Sequence, residues 1–289
     1  MKIKNPGLTI LVLITLLILT IAYVLPMYVA VVTSLKSIAE ITQRRYLIPS
    51  LSLQFENYTQ AFRLIFPAMK NSTIISFSVT FLSLLFGGLG GYYLSRARTP
   101  FAKVLFVLVG ISIYLPYQVI LIPLTQIMAS IKIPPVTIGT WSFGGVPLTR
   151  TLWGLIASYL ILNVPLASLL MGTFFTAIPR ELEEAAEVDG ASRLQNFFRV
   201  ITPVALPAYA STAIIIFTQV WNEFLLALTF ATPKTQTIQM KLVEIKGSFV
   251  ANYHLQMAAA VITLLVPLLF FLVLGRYFIR GILAGALKG

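Results

Sequence analysis

An all-α membrane protein with six transmembrane helices is the fold class this sequence predicts, and three observations predict it. The 289 residues are 58% hydrophobic and only 10% charged, with a mean hydropathy of +0.90. A soluble domain of this length needs far more polar surface. Six apolar stretches are long enough for a bilayer crossing, which takes about 20 helical residues. None alternates as a barrel strand does, and an isolated strand would leave backbone groups unsatisfied in lipid.

The first stretch, Leu8–Ser34, follows Lys2 and Lys4 like a signal peptide. Its apolar run is much longer than a signal core of about 7–15 residues. It reads as a retained span. The others are Asn71–Leu94, Val104–Ala129, Leu152–Thr176, Pro207–Ala231 and Met257–Tyr277. Pro26, Pro116, Pro123, Pro165 and Pro267 fall within spans, where each removes a helix hydrogen bond and permits a kink or a break. Between spans three and four, residues 133–150 are rich in Pro, Gly and Thr and carry Trp141. They read as an ordered loop or an interfacial segment. The remaining aromatic residues near span ends, Tyr114, Tyr117 and Trp153, are expected in interfacial belts or packing.

Six spans put both termini on one side. Lys and Arg divide almost evenly between the two sides, and only the short Arg96-Ala97-Arg98 loop favours cytoplasmic termini. The net charge of +12 is spread over every loop and forms no stripe, which argues against nucleic acid as a partner. The absence of cysteine excludes disulfides and thiolate metal sites, and the single His254 supplies no metal cluster. There is no phosphate-binding GxxxxGK[ST] loop, so nucleotide chemistry must belong to a partner. No catalytic, metal or cofactor residues are expected.

Five of the nine acidic residues crowd into Glu181–Asp189, between spans four and five. Pro179 is expected in the first turn of a short helix, followed by acidic residues at the positive end of its dipole. Ala185 and Ala186 continue about two turns, and Gly190 suits the left-handed C′ position. Ser192 and Gln195 match a capping box that opens a second helix, carrying Leu194, Phe197, Phe198 and Ile201 and ending at Thr202-Pro203. The result is a helix–turn–helix on the membrane surface. Its two alanines form a flat patch for a partner's backbone, and its carboxylates can meet basic groups. A solvated acidic loop is the competing reading of these residues.

Glu184-Ala185-Ala186, with Gly190 and Pro203 at their spacing, resembles the EAA loop of ABC importer membrane subunits, E-A-A-x3-G-x9-I-x-L-P. Val200 replaces Ile, and Thr202 places a polar side chain where an apolar one is usual. Trp221-Asn222-Glu223-Phe224-Leu225 resembles the W-N-D-F-L segment of carbohydrate-importer permeases, with Glu for Asp. The tail from Arg276 to Gly281 and from Ala284 to Gly289 resembles the same group, as do Thr33–Lys36 and Glu56-Asn57-Tyr58. Together they point to the shorter of the two sugar-importer permeases.

The resemblance implies a type I ABC importer permease fold with a cytoplasmic coupling helix. Residues 1–66 form the first helix and an external loop, 67–280 a permease core with the EAA loop at 178–203, and 281–289 a cytoplasmic tail. The implied partners are a second permease, two ATP-binding subunits that carry ATP and Mg, and an extracytoplasmic sugar-binding protein. Glu184, Ala185, Ala186, Asp189, Gly190 and Pro203 are expected to couple to the ATP-binding subunit. Trp221, Asn222 and Glu223 are candidates for the translocation path, because a carboxylate at membrane depth needs a polar cavity or partner. A structural hydrogen bond between helices is the equal alternative for Glu223. A permease for another solute, or a stand-alone secondary carrier, are the competing functions. A carrier is expected to show ion-coupling charges or inverted repeats.

Overall fold

The computed structural model describes residues 6–43, 45–132, 134, 136–138, 141–143, 145–230, 232–246 and 252–286, leaving out the side chains of 6, 136–138, 141–143 and 278–286. In order these form α1 (Pro6–Ser34), α2 (Ile38–Thr42), α3 (Glu56–Arg96), α4 (Pro100–Ser112), α5 (Leu121–Ser130), β1 (Val136–Ile138) and β2 (Trp141–Phe143). Then come α6 (Leu152–Thr176), α7 (Glu181–Val188), α8 (Arg193–Asn196), α9 (Thr202–Val204), α10 (Leu206–Asn222), α11 (Leu225–Thr229), α12 (Ile238–Lys246) and α13 (Tyr253–Ala286). A π-helical turn, Phe197–Ile201, links α8 to α9.

Among the described residues, four helices are long and apolar enough to cross a membrane, and the spans number up to six if two bent pairs each count once. The expected third span is one of these pairs, with Pro100–Ser112 meeting Tyr117–Ser130 at 93°. Pro116 sits extended in the break, and a proline both lacks a donor and biases the residue before it away from helix. Pro26, Pro165 and Pro267 instead lie inside continuous helices. The expected fifth span, Pro207–Ala231, is not one helix. α10 stops at Asn222, and Glu223 is extended (φ −72, ψ 131) ahead of α11. Upstream, Arg193–Val204 meets α10 at 79°. The sixth helix runs on to Ala286, so the expected tail is helical over 281–286, while 287–289 lie outside the described residues. Of the segment 133–150, the described part holds an antiparallel hairpin in which Val136 pairs with Phe143. Ile133, Pro135, Gly139, Thr140, Gly144 and the Trp141 side chain lie outside the description.

The chain divides into two compact units, residues 1–66 with 241–265 and residues 67–240 with 266–289. In the first, the apolar side chains along α1 are exposed on all sides, as a lipid-facing helix requires. Its C-terminal carbonyls are met by Asn57, whose amide donates to Ser34 O and Lys36 O, both at 2.9 Å. Tyr58 and Ser34 share a hydroxyl contact of 2.7 Å. The two front motifs, twenty residues apart in sequence, are therefore the two halves of one joint.

In the second unit, α3 packs on α6 through residues without side-chain bulk. A Cβ on Gly87 would lie 2.3 Å from Ala167 Cβ, and one on Gly91 would lie 2.5 Å from Ser168 O. Gly87 and Gly91, against Ser168 and Gly172, are the small-xxx-small pattern that lets membrane helices approach closely. A core of Ile75, Val79, Leu155, Tyr159, Ile216 and Val220 fills the space among α3, α6 and α10. A second cluster, Met171, Phe175, Ile178, Phe197 and Ile201, lies at the α7 end.

Candidate functional site

The acidic loop folds as a helix closed at its C-terminal end by backbone bonds. Pro179 precedes the helix rather than opening it. Arg180 is the N-cap, and its carbonyl takes the N–H of Glu183 and Glu184 at 2.9 and 3.0 Å. At the other end Asp189 is the C-cap and Gly190 has φ +84. Gly190 N donates to Glu187 O at 3.0 Å, and Ala191 N to Ala186 O at 2.9 Å. That pair of bonds is a Schellman closure, and it depends on a residue at ease in the left-handed region. Ser192 and Gln195 exchange the two bonds of a capping box, so the next helix starts where the first is sealed.

Of the five carboxylates, only Glu183 turns inward. It pairs with Arg96 Nη2 at 2.6 Å, both side chains being 13% exposed. Tyr92 OH donates to its second oxygen at 2.7 Å. Arg96 also donates to Ile178 O, and the Asn196 amide to Glu183 O. The network joins the end of α3 to both flanks of α7. Glu184, Ala185, Asp189 and Gly190 are exposed and Ala186 is half-buried. Ala186, Asp189 and Gly190 share an open groove of about 410 Å³ with Gln195 and Arg199. Pro203 is exposed within α9. Thr202, the polar departure, is half-buried, and its hydroxyl oxygen is buried with no hydrogen-bond partner among the described residues.

The second candidate centre is Glu223. Its carboxylate accepts four hydrogen bonds: Tyr117 OH at 3.0 Å, Tyr159 OH at 2.6 Å, Leu226 N at 2.8 Å and Ala227 N at 3.1 Å. Two come from the first turn of α11, whose orphan donors need acceptors. The others come from the segment after the break in span three and from α6. One carboxylate thus ties both broken spans to an unbroken one. The helix interruption that the sequence did not reveal follows from this, because Glu223 leaves helical geometry to cap α11.

Trp221 points into the core of this chain. It is 2% exposed and stacks on Phe217 at 5.8 Å, since positions 216, 217, 220 and 221 form the buried face of α10. The opposite face carries Ile215, Thr218, Gln219 and Asn222, at i, i+3, i+4 and i+7, all exposed. With Tyr117, Ile214 and Glu223 they line an open cleft of about 610 Å³. Three polar side chains on an exposed face at membrane depth are costly against lipid. This face must meet water or protein. Thr218 and Gln219 were missed in the sequence, although their helical spacing with Asn222 was there to be read. Glu183, Arg96 and Tyr92 were also missed, and no spacing joins them. Tyr117, expected in packing or an aromatic belt, packs against the core and also donates to Glu223. Among the described residues, no three His, Asp or Glu side chains gather to hold a metal.

The structure is that of a helical, multi-pass membrane protein with an exposed loop helix. Comparison with known proteins is more specific. Residues 83–283 match the family described as binding-protein-dependent transport system inner membrane component, and the chain belongs to that family. It is a transport subunit and not an enzyme. It is 30% identical over 277 residues to the glucose import system permease protein GlcU of Saccharolobus solfataricus, covering 93% of this chain and 91% of that one. It is 31% identical over 275 residues to the melibiose/raffinose/stachyose import permease protein MelC of Bacillus subtilis, covering 93% and 92%. Its fold matches a chain of a bacterial ABC transporter involved in the import of the acidic polysaccharide alginate, with a TM-score of 0.79, 18% identity, and coverage of 96% and 99%.

Proposed function

We propose that this chain is one of two membrane subunits of an ATP-driven sugar importer, fed by an extracytoplasmic binding protein. α7 is its docking helix for an ATP-binding subunit. The observation that carries this is the division of labour on α7: Glu183 is consumed in an internal tether, while Glu184 makes no ion pair among the described residues and stands exposed beside Ala185 and the groove. Glu184 meets a basic group of the partner; Ala185, Ala186, Asp189 and Gly190 shape the seat, and Pro203 ends the loop. This chain itself binds no cofactor, and ATP and Mg lie on the partner. Docking places α7 and both termini in the cytoplasm.

The polar face of α10 is this chain's share of the translocation path, completed by a second permease. Amide and hydroxyl groups beside the Tyr117 ring suit a sugar, and the carbohydrate cargo named for GlcU and MelC supports that class. The test is reconstitution of the full complex with Glu184→Lys. Solute uptake is expected to fall about tenfold or more while ATP hydrolysis continues. Wild-type uptake by that variant would overturn the docking role. Binding of an amino acid rather than a sugar by the cognate binding protein would overturn the cargo class.

A further inference from the structure

The reading of α7 as a docking helix leaves open how its movement reaches the spans. Between α7 and α6 the chain is a four-residue link, Ala177–Arg180, which is a poor lever. The direct connection is lateral. Glu183 is held by Arg96 at 2.6 Å and by Tyr92 at 2.7 Å, and both partners lie on the last turns of α3. Arg96 reaches past the carboxylate to Ile178 O at 3.0 Å, just before α7. Asn196, 1% exposed, donates to Glu183 O at 3.1 Å and so adds the second helix of the loop to the same body. Tyr92 also packs on Phe175 and Phe197, with ring centroids 5.8 and 5.1 Å away. α3 in turn fits α6 through the glycine stripe, where a Cβ on Gly91 would lie 2.5 Å from the backbone oxygen of Ser168.

We propose that Glu183 is the positioning residue of energy coupling: through Arg96 and Tyr92 it makes α7 and α3 move as one body. A pull on α7 is then delivered to α3, and from α3 to α6. Glu183 and Glu184 differ by one position and divide the task, one facing the chain and one facing the partner. This inference rests on the docking role of α7, so the experiment keeps the two apart.

The full importer, with its binding protein and solute, is reconstituted in vesicles carrying Arg96→Ala, Glu183→Arg, Arg96→Glu, the double swap Glu183→Arg/Arg96→Glu, or Glu184→Lys. Each single tether variant is expected to retain its ATP-binding subunits and basal ATP hydrolysis. Uptake per ATP hydrolysed should drop about tenfold, and the double swap should recover most of it. The chain has no cysteine, so spin labels can be placed at Val188→Cys and Arg98→Cys, both exposed. Their distance should stay narrow through the ATP cycle in the otherwise unchanged chain and broaden in Arg96→Ala. Normal uptake per ATP, a narrow distance in Arg96→Ala, or no recovery in the double swap would overturn the tether. So would loss of the ATP-binding subunits from the single variants, because the network would then serve docking alone. If Glu184→Lys uncouples while Arg96→Ala does not, the tether fails and docking stands. If Glu184→Lys transports normally, docking itself fails.

Discussion

Replacing Glu223 by Gln removes one charge and one acceptor from a centre that receives four donors. The amide oxygen can take the place of Oε2 and keep Tyr159 OH and Ala227 N. The amide nitrogen then faces Tyr117 OH and Leu226 N. The tyrosine hydroxyl can rotate to accept, but the backbone N–H cannot. One buried donor is left unpaired, at about 1–3 kcal/mol. The two bonds kept also lose their charge assistance, a further 1 kcal/mol or so each by the same scale. Against this, a neutral side chain avoids the desolvation cost of a carboxylate, which offsets part of the loss. The net expectation is about 2 kcal/mol of destabilisation, with Glu223→Asp milder because both acceptors survive. Unfolding in detergent, followed by tryptophan fluorescence, reports it well: Trp221 is buried two residues away. A Gln variant within about 0.5 kcal/mol of the parent, with unchanged uptake, would refute the reasoning that this carboxylate holds the broken spans together.

Two further outcomes follow from backbone geometry. Gly190→Ala meets no atom within 4 Å, so its cost is the left-handed backbone alone, about 1–2 kcal/mol; a spin label on Val188 should show a looser α7, and Gly190→Asn should lose less. Gly91→Val drives a side chain into Ser168 O and Gly172 N and is expected to lower stability by about 1–3 kcal/mol or more, measured as the melting temperature of the purified complex, whereas Gly275→Ala, whose nearest neighbour is 3.6 Å away, should leave it unchanged.

The elements most legible in the sequence were those set by local chemistry. Four of the six long apolar runs became continuous helices, Gly190 closed α7, and Ser192 with Gln195 formed the capping box. Each depends on residues a few positions apart, so spacing carries the information. What escaped was set by partners distant in the chain. Nothing near Glu223 announces that Tyr117 and Tyr159 will point at it, and a run from 207 to 231 reads as helix until those donors appear. The Arg96–Glu183 pair spans 87 positions and has no periodic signature. The glycine stripe is different: Gly87 and Gly91 stand four apart in the sequence, and that local spacing carries the close approach of α3 to α6.

The closed C-terminal end of α7 and the tether on its first turn have a consequence for any partner that grips it. A loop that folded only on contact would lose conformational freedom at each engagement, about 1–2 kcal/mol per residue ordered. Here the Schellman closure, the capping box and the Arg96 tether fix the eight helical residues beforehand. Engagement then orders almost nothing new. A handle that is rigid before it is grasped transmits the first increment of a pull as displacement and loses none of it to straightening slack.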